Sequence, residues 1–141
     1  MIINDLLKNI KTLDILGSAE RDIANLTYDS RTVEAGSCFF AIEGVTVDGH
    51  RFISSAVDKG ATAVVCKHLP EQIDTDKATY ILVEDTDKAM DLIAANFYGN
   101  PSRKLKVVGV TGTNGKTTIA TLLYDLTRAM GYKAGLISTV V

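Results

Sequence analysis

The spacing of apolar residues over the first 84 positions predicts a small unit of alternating strands and helices. Within 2–10, apolar residues recur at helical spacing and predict a short amphipathic helix. Short apolar runs bounded by turn residues predict strands over 23–28 and 37–42. Two further runs, 61–67 and 78–84, predict buried strands. Together these elements are typical of a compact α/β unit that ends near residue 84.

A loop and a helix are expected between the second and third of these strands. The segment EGVTVDGH (43–50) contains two glycines and an Asp-Gly pair, which favour a tight turn. The segment 50–59 then places four apolar residues on one helical face, and Gly60 is well placed as its C-terminal cap. Taken alone, Asp48-Gly49-His50 is open to a structural interpretation, as a turn into this helix with His50 as a helix-start residue.

A second segment begins at residue 85. Asp85 and Thr86 offer a helix N-cap, and the apolar pattern continues to Phe97 before Gly-Asn-Pro at 99–101 stops the helix. The elements predicted after it are, in order, a strand over 104–110, a glycine-rich loop, a helix with an apolar face over 119–130, and a strand over 134–139. The predicted fold class is therefore α/β, with one domain over 1–84 and the start of another over 85–141.

Composition and charge indicate a globular protein and argue against some kinds of partner. Hydrophobic residues make up 46% and charged residues 23% of the 141 positions, as in globular domains. The formal net charge is −2 and no run of like charges occurs, so we expect neither a nucleic-acid nor a membrane partner. The first residues lack a basic start followed by a long apolar core, so we expect an untargeted, cytoplasmic protein. Cys38 and Cys66 lie in separate apolar runs, which favours buried thiols over a disulfide or metal site.

The stretch VGVTGTNGKTT (108–118) carries the clearest chemical signal. A phosphate group needs several N–H donors and a counter-charge, which a glycine-rich turn at a helix N-terminus supplies. Gly112 and Gly115 allow the bend, Lys116 brings the positive charge, and the Thr117 hydroxyl suits Mg²⁺. The common pattern has glycine where this chain has Val110, so the match is to a variant. The alternative is a chance Gly-Lys-Thr, but the predicted strand and helix on either side favour a phosphate loop.

A phosphate loop alone does not make a phosphoryl-transfer site. Such a site also needs a carboxylate or its equivalent on the metal, and a group that places the acceptor. The 23 residues after Thr118 contain one acidic residue, Asp125. We therefore expect this chain to be a piece of a larger catalyst and inactive by itself.

Three motifs in order resemble the amino-terminal part of the Mur ligase family. They are YDSRTVEAGSCFFAIEG with VDGHRFISSAVDKGATAVV, then NFYGNPSRKL, then VGVTGTNGKTT, and they span about 23–141. Within the family, Thr113 and the NFYGNPS segment resemble the ligases that add the third residue of the peptidoglycan stem peptide. The resemblance implies an α/β uridine-binding domain followed by the truncated start of a P-loop ATP-binding domain.

The resemblance also implies the roles of individual residues. The uridine end of UDP-N-acetylmuramoyl-L-alanyl-D-glutamate (UDP-MurNAc-L-Ala-D-Glu) would be held by Tyr28, Ser30, Val45, Thr46 and Val47. Two of these are valines where some relatives have polar residues, so only their backbone groups could form hydrogen bonds. ATP would be held by Gly112, Thr113, Asn114, Gly115, Lys116, Thr117 and Thr118, with Lys116 as the catalytic residue and Thr117 as the Mg²⁺ ligand.

The reaction implied is carboxylate activation. The γ-phosphoryl group of ATP passes to the D-glutamate carboxylate, and the incoming amine of meso-diaminopimelate or L-lysine attacks the acyl phosphate. The choice between these amino acids is made by a carboxy-terminal domain outside this chain. The implied partners are small molecules only, with no obligate protein partner.

Alternatives remain at two levels. The chain could belong to the related ligase that adds the terminal dipeptide, or to a non-catalytic module that binds a UDP-sugar or nucleotide. Locally, Asp29 and Arg31 could form an ion pair that only orders a loop.

Overall fold

The computed structural model describes residues 1–138, which divide into two compact units. The first is Met1–Pro101, and the second begins at Ser102.

A five-stranded sheet forms the centre of the first unit. Its strands are β1 (Asp14–Leu16), β2 (Asn25–Thr27), β3 (Ser37–Phe40), β4 (Ala61–Cys66) and β5 (Thr79–Leu82). They lie in the order β1-β5-β4-β3-β2, with β2 to β5 parallel and β1 antiparallel to β5. The helices are α1 (Ile3–Leu6), α2 (Ile53–Asp58) and α3 (Thr86–Phe97), and a 3₁₀ turn, Gly49–Phe52, leads into α2. The α/β fold class is thus confirmed.

The sheet is covered on both faces, which explains the near-continuous apolar runs of its central strands. On one face α1 and α3 pack over Phe40, Val65 and Ile81. On the other face α2 and the chain between β2 and β3 pack over Phe39 and Val64. Since neighbouring residues of one strand point to opposite faces, Phe39 and Phe40 enter different cores.

The structure differs from the sequence predictions at two elements, the first helix and strand β1. The first helix ends at Leu6, although Ile10 still packs against the core from the following turn. Strand β1 was not predicted: it has three residues, lies at the sheet edge and is mostly exposed, and its apolar run is limited to Ile15 and Leu16. The predicted helix over 50–59 is confirmed, with its first turn in 3₁₀ form.

Helix α3 packs on the sheet of the first unit, whereas the predicted domain boundary lies before it, after Glu84. The Asp85 side chain caps α3 by accepting from the Lys88 N–H at 3.1 Å, as its sequence predicts. Ile93 is fully buried in the core that α3 shares with α1. The Asn96 amide donates to the carbonyls of Leu6 and Lys8 at 2.8 and 3.0 Å, which ties α3 to the start of the chain.

The second unit contains the glycine-rich loop and helix α4 (Lys116–Ala129), both as predicted. Residues 105–110 and 134–138 are not strands, which contradicts the prediction for 104–110 and for the described part of 134–139. Thr139 lies outside the described residues. A strand is stabilised by hydrogen bonds to a neighbouring strand, and this unit contains no such neighbour within its described part.

Candidate functional site

The carboxyl ends of β2 to β5 meet at one edge of the sheet because these strands are parallel. In sheets of this kind, ligands bind in crevices outside that edge. The segment 28–32 follows β2, the segment 43–48 follows β3, and Lys67 and His68 follow β4. Two of these three segments contain the predicted uridine-binding residues.

The segment 28–32 is ordered by Asp29. Its carboxylate accepts from Arg31 Nε at 2.9 Å, from Arg31 Nη2 at 2.7 Å and from the Arg31 backbone N–H at 2.9 Å. Lys59 Nζ donates to the carbonyl of Ser30 at 2.6 Å. The local ion pair is therefore confirmed, and it holds Ser30 between two fixed neighbours. Within the part of the chain that the structure describes, no hydrogen-bond partner is found for the Ser30 hydroxyl, which leaves it available to a ligand.

Arg31 lowers the pKa of the Asp29 carboxyl. The side-chain and backbone hydrogen bonds from Arg31 lower the pKa of Asp29 from its ordinary value of 3.8 to about 2. Because the folded state has the lower pKa, the stabilisation from this ionisation is complete above about pH 4 and is lost as the pH falls through about 2.

We expect Arg31→Ala to raise the pKa of Asp29 from about 2 toward 3.8. The rise is incomplete because the backbone N–H of residue 31 still donates. An NMR titration of the Asp29 side-chain carboxyl measures it directly. Arg51→Ala, which removes another exposed guanidinium of the first unit, serves as the control and leaves this pKa in place. An unchanged pKa in Arg31→Ala would show that the backbone alone sets it.

The segment 43–48 is a short hairpin rather than an irregular loop. Glu43 and Asp48 pair as an antiparallel bridge, and the Gly44 N–H donates to the Val47 carbonyl at 3.1 Å. Its tip is formed by Val45, Thr46 and Val47. Both valine side chains are exposed, and Val45 has no burial at all. An exposed apolar tip on an ordered hairpin is a suitable cover for a flat ligand.

The base of the hairpin is held by contacts that the sequence did not predict. Asp48 Oδ1 accepts from the His50 backbone N–H at 2.9 Å and lies 2.6 Å from His50 Nδ1. His50 Nε2 accepts from the Lys67 backbone N–H at 3.0 Å, and Lys67 Nζ donates to Glu43 at 2.8 Å. The backbone and side-chain hydrogen bonds from His50 lower the pKa of Asp48. The Asp-Gly-His turn into a helix is confirmed, and His50 has this further contact to the end of β4.

A groove of about 210 Å³ lies between the end of β2 and α3. Tyr28 is on one side and Tyr98 on the other, both about two-thirds exposed, and Asp91 contributes a carboxylate. Tyr28 is the only predicted uridine residue that lines it; Ser30 and the hairpin tip do not. The predicted residues thus share a sheet edge, but this groove contains one of them.

The glycine-rich loop of the second unit has the backbone that a phosphate site needs. Gly112 has φ 145° and Gly115 has φ 75°, in the region that favours glycine, and Gly115 is the N-cap of α4. Lys116 Nζ turns back and donates to the carbonyls of Gly112 and Thr113. The lysine therefore already points at the loop, where a phosphate oxygen can replace the carbonyls as its acceptor. The residues present fit a bound nucleotide phosphate.

The described residues show neither a reactive thiol nor a cluster of metal ligands. Cys38 and Cys66 are free and buried in different cores, and burial raises the pKa of their thiols to about 12 and about 11. The prediction of two buried thiols is confirmed. Residues 1–138 contain no group of three or more His, Cys, Asp or Glu side chains arranged to hold a metal. None of the described helices has the length and apolar character that crossing a membrane requires.

Comparison with known families decides the classification. A model described as "Mur ligase family, catalytic domain" matches residues 22–98 of the chain. The chain belongs to the Mur ligase family. The match ends just after α3, so it includes this helix together with strands β2 to β5 of the first unit.

Curated relatives of this Mur ligase chain share about half of its residues. It is 53% identical to the UDP-N-acetylmuramoyl-L-alanyl-D-glutamate--2,6-diaminopimelate ligase of Cytophaga hutchinsonii, over 99% of this chain and 29% of the relative. It is 51% identical to the protein of the same name from Bacteroides thetaiotaomicron, with the same coverage. The chain thus spans less than a third of the length of these relatives.

Solved structures of other Mur ligases share the fold. The MurF ligase of Thermotoga maritima in complex with ADP is 33% identical, with a TM-score of 0.58 over 74% of this chain and 23% of that one. A dipeptide-adding ligase structure from Acinetobacter baumannii superposes with a TM-score of 0.69 over 92% of this chain and 28% of that one. At 23% identity, the latter likeness concerns the fold alone.

Proposed function

We propose that this chain is the amino-terminal part of the ligase that adds 2,6-diaminopimelate to UDP-MurNAc-L-Ala-D-Glu. The observation that carries the proposal is the 53% identity over 99% of the chain to a relative of that name. The dipeptide-adding alternative is weaker, since the solved MurF ligase of Thermotoga maritima is 33% identical over 74% of the chain. The proposal places the protein in the cytoplasm, where ATP and nucleotide-linked precursors are found.

The two units have separate tasks in this proposal. The first unit binds the uridine end of the substrate, and the second begins the ATP-binding domain. In this proposal we place the boundary between the two tasks after Pro101 instead of the predicted Glu84; the core that α3 shares with α1 and the sheet supports this choice.

Three features of the first unit suit a uridine diphosphate. The exposed Tyr28 ring can stack on a planar base. The Ser30 hydroxyl can donate to or accept from the base edge. The backbone groups at the tip of the 43–48 hairpin can add hydrogen bonds, since its valine side chains offer none.

The glycine-rich loop suits the phosphates of ATP. The backbone N–H groups over 112–118 surround the β-phosphate, and Lys116 stabilises charge on the transferring phosphoryl group. Thr117 would hold Mg²⁺, which neutralises phosphate charge when bound. The D-glutamate carboxylate accepts the γ-phosphoryl group, and the amine of diaminopimelate then displaces phosphate from the acyl phosphate. The groups that place carboxylate and amine belong to the remainder of the ligase in this proposal.

A two-dimensional amide NMR titration of the chain with UDP-MurNAc-L-Ala-D-Glu, followed by ATP with Mg²⁺, tests the proposal. We expect shifts at Tyr28, Ser30 and Val45–Val47 on the first addition, and at residues 112–118 on the second. A Ser30→Ala chain is expected to bind the first ligand several-fold more weakly, because it lacks one hydrogen bond. A folded spectrum in which the first group of residues does not move would refute the uridine site.

A further inference from the structure

Lys67, at the end of β4, is joined to both strands of the 43–48 hairpin. Its ammonium group donates to the Glu43 carboxylate on the first strand at 2.8 Å. Its backbone N–H donates to His50 Nε2 at 3.0 Å, and His50 Nδ1 contacts the Asp48 carboxylate on the second strand at 2.6 Å. Glu43 and Asp48 are themselves paired across the hairpin. The hairpin is therefore fixed to the sheet through a closed ring of contacts.

The hydrogen bonds determine the state of the His50 ring. Nε2 faces the Lys67 N–H at 3.0 Å and the His68 N–H at 3.4 Å, so it must be an acceptor. Nδ1 faces a carboxylate oxygen, so it carries the hydrogen. A neutral Nδ1–H imidazole satisfies every contact, whereas a protonated ring would turn a second donor toward the backbone N–H groups. The ring is nearly buried, with 12% of its side chain exposed, so water replaces these contacts poorly.

We propose that His50 is a positioning residue for substrate binding: as a neutral Nδ1–H imidazole, it joins Asp48 to the Lys67 backbone and so holds the hairpin tip Val45–Val47 over the uridine site. The identity of the ligand in this inference rests on the proposed function, whereas the role of His50 in holding the hairpin does not. His50 acts through the hairpin and makes no contact with substrate. The charged and titratable groups around it are Asp48 and Glu43 on the hairpin, and Lys67 and His68 after β4.

The predicted tautomer is measured on the unaltered chain by ¹⁵N NMR of the histidine rings. We expect the single ring hydrogen of His50 to lie on Nδ1, as its contacts require. A ring with hydrogen on Nε2, or a protonated ring, would overturn the proposal without any variant. This measurement also keeps the proposal testable if a His50 variant does not fold.

Variants separate the two hydrogen bonds of the ring. Titration with UDP is expected to give about tenfold weaker binding in His50→Ala, because two partly buried hydrogen bonds that hold the hairpin are lost. His50→Gln retains an acceptor at the reach of Nε2 and is expected to recover much of the affinity. His50→Asn retains only the donor toward Asp48 and recovers less. His68→Gln is the matched control, since its exposed ring makes none of these bonds, and it binds UDP as the unaltered chain does.

Amide hydrogen exchange without ligand separates the hold on the hairpin from the uridine site, and it is measured at Gly44 and Gly49, whose N–H groups donate to the Val47 and Ile42 carbonyls. Faster exchange in His50→Ala than in His68→Gln, together with weaker UDP binding, supports the positioning role. If the unaltered chain does not bind UDP but exchange still accelerates, the uridine site is refuted and the hold on the hairpin stands. Equal exchange or equal UDP affinity in the folded His50→Ala and unaltered chains would overturn the proposal.

Discussion

Lys116→Ala in the full-length ligase is expected to reduce turnover by about 100- to 1000-fold, as the loss of one preorganised charge-stabilising donor does elsewhere. Lys116 is exposed at the start of α4 and contacts only the carbonyls of its own loop. Its removal is therefore expected to cost little folding free energy, while in the proposed mechanism the transferring phosphoryl group loses its counter-charge. Release of ADP measures the turnover, and the circular dichroism melting curve measures the fold.

Lys133→Ala is the control for this experiment, since it removes another exposed lysine of the second unit and leaves the loop intact. We expect its turnover to equal that of the unaltered enzyme. A folded Lys116→Ala ligase with normal turnover would remove Lys116 from the mechanism. A Lys116→Ala protein that fails to fold would instead show that the lysine supports the structure of the loop.

Gly49→Ala is expected to destabilise the first unit by about 1–3 kcal/mol and to weaken UDP binding together with it. A methyl carbon at residue 49 would lie 2.7 Å from both the backbone nitrogen and oxygen of Ile42. The backbone cannot move aside easily at either residue. The Gly49 N–H donates to the Ile42 carbonyl at 2.8 Å, and the N–H of Ala41, just before Ile42, donates to the Val65 carbonyl at 2.9 Å. The hairpin between residues 42 and 49 must therefore shift.

Urea unfolding and UDP titration measure these two effects of Gly49→Ala. Gly135→Ala serves as its control, because nothing lies within 4 Å of the added carbon and φ at this residue is not in the glycine-favouring region. We expect it to be neutral in both measurements. An unchanged unfolding free energy in Gly49→Ala would mean that the backbone at Ile42 yields without cost.

The sequence predicts the parts of the fold that have a local signal. Strands β3 and β4 are continuous apolar runs, and α3 has both a cap at Asp85 and a stop at Gly99, so all three could be found from pattern alone. The short edge strand β1 has no such run. The apolar face of α3 shows that the helix packs on something, but only the tertiary contacts of Ile93 and Asn96 show which sheet it covers.

The same distinction applies to the candidate site. The glycine-rich loop is a contiguous motif, so it can be found from sequence alone. Gly112 and Gly115 have the positive φ values that glycine allows, and the binding of phosphate by this loop stays a prediction. The contacts that fix the hairpin are different, because they join residues that are distant in sequence. His50 is 17 residues from Lys67, and Glu43 is 24 residues from it. No spacing rule connects residues that meet only after β4 has been placed beside β3. Sequence reasoning therefore found the turn at His50 but not the acceptor role of its ring.

The strand order also sets when the first unit can fold. Strands β2, β3 and β4 pair with strands that are close in sequence. Strand β1 pairs with β5, so Asp14 can pair with Leu82 only after most of the unit has been synthesised. A chain emerging from the ribosome can form the parallel half of the sheet early and holds an unpaired β1 until β5 has been synthesised. Helix α3 follows β5 directly and covers the face on which α1 lies. We therefore expect folding to finish in one late step that joins both ends of the unit, and to be slower than in a helical domain of equal size.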